Sequence, residues 1–377
     1  MTSRERVIRA LRHKEPDRVP VSLGGSAHKL CEGIFFKLLE YFNIDKRESH
    51  KELTGGVYTW YHTKLWECLE VDVIYVHMKP PVSIEKWDPL NSLREWGVKC
   101  EMRNGWINYT DYPLKDVSDL SELSAKLKLP TPNEEARVRG LKEEAKNLYE
   151  STNFAIAAYR PVPFGVFELS QALCGMEKLF EDFYKNPNLV RALFNELLHT
   201  QMTFYERQLN EIGEFVHIVE IIDDLGGQAN PLISPDLYRK FLKPVHAKLI
   251  EFIKAKAPHV KVLLHSCGSV EVFISDFIDI GVDILNPVQP LAKGMDTAKL
   301  KEKYGEKICF EGAIDVQQAM RGNIIDVRRE VRQRIEDLGP GGGYILGPSH
   351  NVEDEIPLEN ILALFEEAHK GNQPTSV

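Results

Sequence analysis

The feature that most constrains this chain is a rhythm of about eight short apolar runs rich in Val and Ile, most of them separated by long segments with helical periodicity. The runs are RVPVSLGG (18–25), VDVIYVH (71–77), FAIAAYR (154–160), FVHIVEII (215–222), VKVLLHS (260–266), VDILNPV (282–288), KICFEGA (307–313) and GGYILGP (342–348). A continuous apolar run is buried on both faces, and its alternation with helices is the signature of βα units on a parallel sheet. Eight such strands close on themselves, so the expected fold is α/β, a (β/α)8 TIM-type barrel. A single barrel domain over 1–377 accommodates the length once insertions are allowed.

Helices are expected between the runs. GMEKLFEDFYKNPNLVRALFNELLHTQMTFYERQLNEIG supplies two and SPDLYRKFLKPVHAKLIEFIKAK another; SVEVFISDFIDIG, DTAKLKEKYG and IIDVRREVRQRIEDLG supply three more. Each carries apolar residues at three- and four-residue steps. SRERVIRALRHK forms an N-terminal helical extension ahead of the barrel, and GNQPTSV is a frayed tail. The rhythm breaks after the second run, where an insertion at about 78–150 is expected to pass over the barrel mouth. Its alternating WDPLNSLREWGVKCEMRNGWINYTDYPL, with an NG turn, reads as a hairpin, and NEEARVRGLKEEAKNLYE as a helix.

Charge and hydropathy narrow the function classes. A formal net charge of −9 argues against an electrostatic nucleic-acid binder or a surface drawn to anionic lipid. No stretch approaches the roughly 20 apolar residues of a membrane span, and the first residues are charged throughout. A cytoplasmic protein acting on small molecules or protein partners is expected. The six cysteines are scattered, as reduced thiols are, and five are read as buried packing residues.

Chemistry in such barrels gathers at the C-terminal ends of the strands. The polar residues there are Ser26 and His28 after the first run, His77 after the second, Tyr159 and Arg160 after the third, and Glu220, Asp223 and Asp224 around the end of the fourth. The later runs add His265, Cys267, Asn286, Gln289, Glu311, Asp315, His350 and Asn351. His265 and Cys267 are two apart on an extended chain, so both side chains face one way and can share a metal. Imidazole and thiolate are favoured zinc ligands, and a catalytic zinc takes three protein groups and an open position. His350, at the tip of the last strand, is the expected third ligand, with Glu220 or Asp223 able to complete or replace it. Adjacent carboxylates diverge, so at most one of Asp223 and Asp224 faces the site, where an acid can protonate a leaving oxygen. Tyr159, Arg160, Asn286, Gln289 and Glu311 are expected to bind substrate, and Trp87, Trp96 and Trp106 either to line an aromatic pocket or to pack in the core. The glycine pairs 24–25 and 226–227 match no nucleotide loop and read as tight backbone turns.

Several segments together resemble one family from end to end. They are SRERVIRALRHKEPDRVPV, GVFELSQALCGMEKLFEDFYKNPNLV, DDLGGQANPLISPDLYRKFLKPVHAKLI, HSCGSVEVFISDFIDIGVDILNPVQ, FEGAIDVQ and GGYILGPSHNVEDEIPLENILALFEEA. With these the chain is similar to the uroporphyrinogen decarboxylase superfamily, which implies a (β/α) barrel. The decarboxylase branch carries an arginine-bearing R-Q-A-G-R segment near the N-terminus. The corresponding SLGGSAHKL here has no arginine, so recognition of a four-carboxylate porphyrinogen does not carry over.

The resemblance points instead to the corrinoid-dependent methyltransferase branch, in which H-x-C on the fifth strand and a cysteine near the last strand bind zinc. His265 and Cys267 match the first part, and His350 stands where the second cysteine would be. One thiolate in place of two leaves a stronger Lewis acid, suited to ether cleavage. The implied function is transfer of a methyl group from a methoxylated compound, such as an aryl methyl ether, to a cobalt(I) corrinoid carried by a partner protein. The alternatives are methylcobamide:thiol transfer in the opposite direction, a metal-free decarboxylase, and a non-catalytic corrinoid-protein chaperone.

Overall fold

The computed structural model describes residues 1–54, 57–81, 90–103 and 106–370. Seven strands form one parallel sheet: β1 (Val73–Val76), β2 (Ala155–Ala158), β3 (Ile218–Ile222), β4 (Lys261–His265), β5 (Ile284–Val288), β6 (Cys309–Ile314) and β7 (Tyr344–Pro348). They are hydrogen-bonded in chain order from β1 to β7. Nearly every strand residue is buried on both faces, which is why the runs read as continuously apolar rather than alternating.

The eighth member is shorter than its run suggests. The 18–25 segment pairs only through single bridges, Val21 with Leu346 on β7 and Ser22 with Val73 on β1, and these join the two edges of the sheet. What anchors so short a closure is a buried carboxylate. Asp72, immediately before β1, accepts from the backbone N–H of Val21 at 2.8 Å and from Arg18 at 2.6 Å and Arg6 at 2.7 Å. The fold is thus a TIM-type α/β barrel closed by a strand reduced to two residue pairs.

The helical extension is a plug. Thr2 and Glu5 form a capping box that starts the helix Ser3–Ala10. Its Val7, with Leu11 just beyond, packs into the bottom of the barrel against Val73, Ala155, Ile218, Leu263, Ile284, Cys309 and Ile345. Inward positions nearer the strands' C-terminal ends are polar instead: Glu220, His265, Asn286 and Glu311 are all buried. An apolar floor under a polar upper layer directs chemistry to the mouth.

The expected helices are present, among them Met176–Lys185, Pro187–Ile212, Lys243–Lys256, Ile274–Asp279, Thr297–Tyr304 and Ile324–Leu338. Within the insertion, Lys99–Arg103 pairs antiparallel with Trp106–Asp111, and Leu141–Ser151 is helical. The NG turn at 104–105 and the tail at 371–377 lie outside the described residues. The insertion packs beside the long helix Pro187–Ile212: Trp96 is fully buried and stacks on Phe204 at 5.9 Å. Trp96 is therefore a packing residue, the second of the two readings open to the tryptophans; Trp87 and the side chain of Trp106 lie outside what is described. A second hairpin, His50–Thr54 with Val57–Tyr61, has no counterpart in the sequence reading. Of the five cysteines read as buried, Cys100, Cys174 and Cys309 are so, whereas Cys31 is half-buried and Cys68 exposed. No helix among the described residues is long and apolar enough to cross a membrane.

Candidate metal centre

β4 ends at His265, and the side chains of His265 and Cys267, two residues apart, meet as their spacing predicts. His265 Nε2 lies 3.4 Å from Cys267 Sγ. The third group is Asp224, whose Oδ1 is 3.7 Å from the same nitrogen. Ligand atoms of Asp224, His265 and Cys267 all fall within 4.8 Å of one another. Two ligands on a tetrahedral zinc with bonds of about 2.0–2.3 Å stand about 3.3–3.8 Å apart, and the 3.4 and 3.7 Å separations about His265 Nε2 fall in that range.

The protonation states fit as well. His265 Nδ1 faces Asn286 Oδ1 at 2.7 Å, so that nitrogen donates and Nε2 keeps its lone pair for the cluster. Burial holds His265 neutral, its pKa lowered to about 3. Burial, then the Asp224 and Glu168 carboxylates, push the Cys267 thiol well up, so a thiolate there calls for a neighbouring cation.

Backbone geometry builds the centre. Gly268 has φ +80°, a left-handed conformation that glycine adopts without strain, and the turns 226–227 and 267–269 press against each other. A Cβ on Gly226 would lie 2.6 Å from the Cys267 carbonyl oxygen and 2.6 Å from the Ser269 nitrogen. Cys267 N–H donates to Asp224 Oδ1 at 2.8 Å and Gly268 N–H to Gln289 Oε1 at 2.9 Å, so Asp224 and Gln289 both hold the Cys267 turn. The cluster opens into a cleft of about 390 Å³, bordered by Gln228, Gln289, Gln317, Arg321, His350 and Asn351. Among the described residues, none from 78–150 lines it.

His350 borders this cleft, half-buried, with burial lowering its pKa, but it stands outside the three-residue cluster. Glu220, a candidate ligand from sequence, is not in it either. Its carboxylate lies fully buried, bonded to the Ser26 hydroxyl and 3.6 Å from Arg160. Asp223 is a second correction. It accepts from the N–H groups of Phe167 at 2.9 Å and Glu168 at 3.1 Å and faces His246 Nε2 at 3.0 Å, so it caps the helix Val166–Cys174 rather than facing the cleft. The divergence expected of adjacent carboxylates holds, with Asp224 the one that reaches the site.

The residues expected to bind substrate are mostly committed to the protein itself. Arg160 donates to Ser26 Oγ at 2.7 Å and to the carbonyls of Val162 and Pro163. Tyr159 is buried and stacks on His77 at 4.4 Å. Asn286 and Glu311 are fully buried and bonded to each other at 3.0 Å. Asp315 caps its own turn through the N–H groups of Gln317 and Ala319.

Sequence reasoning missed Glu168 and His246. Glu168, in the first turn of Val166–Cys174, accepts from Asp224 N–H at 3.2 Å. Burial, then Asp224 and Asp223, push its pKa well up, so a carboxyl able to carry a proton lies beside the cluster. Its place in the helix after β2 was the available signal, since that turn points its first residues at the mouth. His246, in the first turn of Lys243–Lys256, gives no such signal because that helix runs behind the strands.

Comparisons agree with this architecture. A methyltransferase from Methanosarcina mazei superposes with a TM-score of 0.62 over 98% of this chain and 99% of its own, at 18% identity, a likeness of fold. The uroporphyrinogen decarboxylase of Prochlorococcus marinus (strain AS9601) is 26% identical over 197 residues, 49% of this chain and 53% of that protein. That of Aliarcobacter butzleri (strain RM4018) is 24% identical over 284 residues, 73% and 76% of the two chains. The chain thus spans about half the length of the first of these relatives and three quarters of the second. Residues 87–371 match the uroporphyrinogen decarboxylase (URO-D) family, and the chain belongs to that family.

Proposed function

We propose that this chain is a zinc-dependent methyltransferase that takes a methyl group from a methoxylated compound, of the aryl methyl ether class, and delivers it to a cobalt(I) corrinoid on a partner protein. The observation that carries the reading is the convergence of His265, Cys267 and Asp224 on one point, with Asp224 and Cys267 lining an open cleft. Three protein groups and an open side are what a catalytic zinc takes. Zinc held there supplies a Lewis acid for an ether oxygen.

The chain's own residues supply the rest. The C–O bond breaks with its electron pair going to oxygen, the methyl carbon bonds to the acceptor through cobalt's electron pair, and the oxygen takes one proton. Glu168, beside Asp224, is the carboxyl placed to supply that proton, a role the sequence offered to one of Asp223 and Asp224. Asn286 keeps His265 in the tautomer whose Nε2 faces the cluster. Gln289 and the paired turns hold Cys267 at the cleft floor.

A decarboxylase is the reading that the relatives' names favour. Against it stands the 22–30 segment, where His28 and Lys29 are buried and no arginine is present to grip carboxylates. The deciding experiment measures zinc in the purified protein and follows the absorbance of cob(I)alamin with a panel of methoxylated donors, next to a porphyrin titration. The proposal expects bound zinc, methyl transfer with at least one donor, and loss of both in His265→Ala. Absence of zinc with His265→Ala fully active, or tight porphyrin binding with decarboxylation, overturns it.

A further inference from the structure

We infer that Asn286 and Glu311 are positioning residues for His265: Asn286 fixes the imidazole that faces the metal cluster, and Glu311 fixes which way the Asn286 amide points. This rests on the reading of Asp224, His265 and Cys267 as a zinc site, and it replaces the substrate-binding role that their places at strand ends suggest.

The placement comes from the strands. His265 and Asn286 are register partners across β4 and β5, so their side chains stand next to each other on one face. Between β5 and β6 the register slips: Phe310 pairs with Leu285, but Gly312 pairs with Val288. Asn286 and Pro287 together therefore oppose Glu311 alone, a bulge that sets the Glu311 carboxylate against the Asn286 amide. Glu311 Oε2 lies 3.0 Å from Asn286 Nδ2.

With Glu311 ionised, the hydrogen bonds leave one arrangement. The Asn286 amide nitrogen has two hydrogens, and its neighbours are Glu311 Oε2 and His28 Nε2, each at 3.0 Å. An ionised Glu311 only accepts, so the amide nitrogen faces it; the amide oxygen then faces His265 Nδ1, 2.7 Å away, and His28 takes the tautomer whose Nε2 accepts. A flipped amide would set a carbonyl oxygen against the ionised Glu311 carboxylate and turn His265 to its other tautomer. All four groups are fully or almost fully buried, so no solvent relieves such a mismatch. Partners of this kind behind a metal-bound histidine typically contribute about 10–100-fold in metal affinity.

The test compares wild type, Asn286→Leu, Glu311→Gln and the double variant Asn286→Leu/Glu311→Met. Zinc affinity is measured by chelator competition, and the visible spectrum of the cobalt(II)-loaded protein is recorded for each. Asn286→Leu is expected to bind zinc about 10–100-fold more weakly and to shift the cobalt(II) bands. Glu311→Gln, whose amide oxygen still accepts from Asn286, should stay within a few-fold of wild type. The double variant leaves no orphaned carboxylate and should reproduce the weakening if the single variant does not fold. Wild type that binds zinc, with Asn286→Leu or the double variant matching its affinity and spectrum, overturns this inference alone. Wild type that binds no zinc overturns it together with the proposed function.

Discussion

At the scale of single residues, the separation of roles between Asp223 and Asp224 is the clearest result. One carboxylate caps a helix and the other joins His265 and Cys267. Zinc binding should therefore be abolished in Cys267→Ala and His265→Ala and weakened in Asp224→Asn, while His350→Ala keeps most of the affinity; isothermal titration with zinc on the four variants checks the order. Because Cys267 must lose its proton on binding while His265 stays neutral, zinc affinity should rise about tenfold per pH unit between about pH 6 and 8. Glu311 makes a second pH prediction. Burial pushes its pKa up to about 7, so folding favours its protonated form. The stabilisation is complete below about pH 4.5, the ordinary range for a glutamate, and is lost as pH rises towards 7. In metal-free protein, urea unfolding at pH 5 and pH 8 should show a loss on the order of 3 kcal/mol that is absent in Glu311→Gln. Equal losses in both proteins would contradict it. His265 and Cys267 were legible from sequence because period-two alternation is a local property. Asp224 was legible as a candidate carboxylate but not as the one of its pair that reaches the cluster, since that depends on how the 226–227 turn docks on a turn about 40 residues further on.

At the scale of elements, the centre is a product of turns pressed together more than of the strands alone. Gly226 and Gly268 face each other with no room for a side chain, and Gly165 lies equally close to the end of β3, where a Cβ would sit 2.1 Å from the Ile222 carbonyl oxygen. Gly226→Ala should destabilise the fold by about 1–3 kcal/mol, as overpacking does, and lower zinc affinity by displacing the Cys267 turn. Thermal melting with and without zinc reads both; an unchanged midpoint and affinity would show that the turns have slack. The glycine pairs were recognisable in sequence as turns, but what they approach is a tertiary fact. The same holds for the bulge at Glu311, because a one-residue slip leaves no mark on hydrophobic periodicity.

At the scale of the whole molecule, the barrel was legible because seven of its strands are buried on both faces and separated by helices with clear apolar stripes. The eighth was legible as a run but not as a closure by two residue pairs, since its hold on the sheet comes from Asp72, a residue with no periodic signal. Asp72→Ala leaves the buried guanidiniums of Arg6 and Arg18 without their carboxylate and should cost about 3–5 kcal/mol of stability, measured by urea unfolding. A smaller loss would mean that the helix plug holds the barrel shut. Zinc-edge X-ray absorption on the purified protein reads the single-thiolate centre of His265, Cys267 and Asp224 without a mutation. About one zinc per chain is expected, with one sulfur ligand at about 2.3 Å and the remaining ligands nitrogen or oxygen at about 2.0–2.2 Å. A first shell with two sulfurs, or with none, would contradict it.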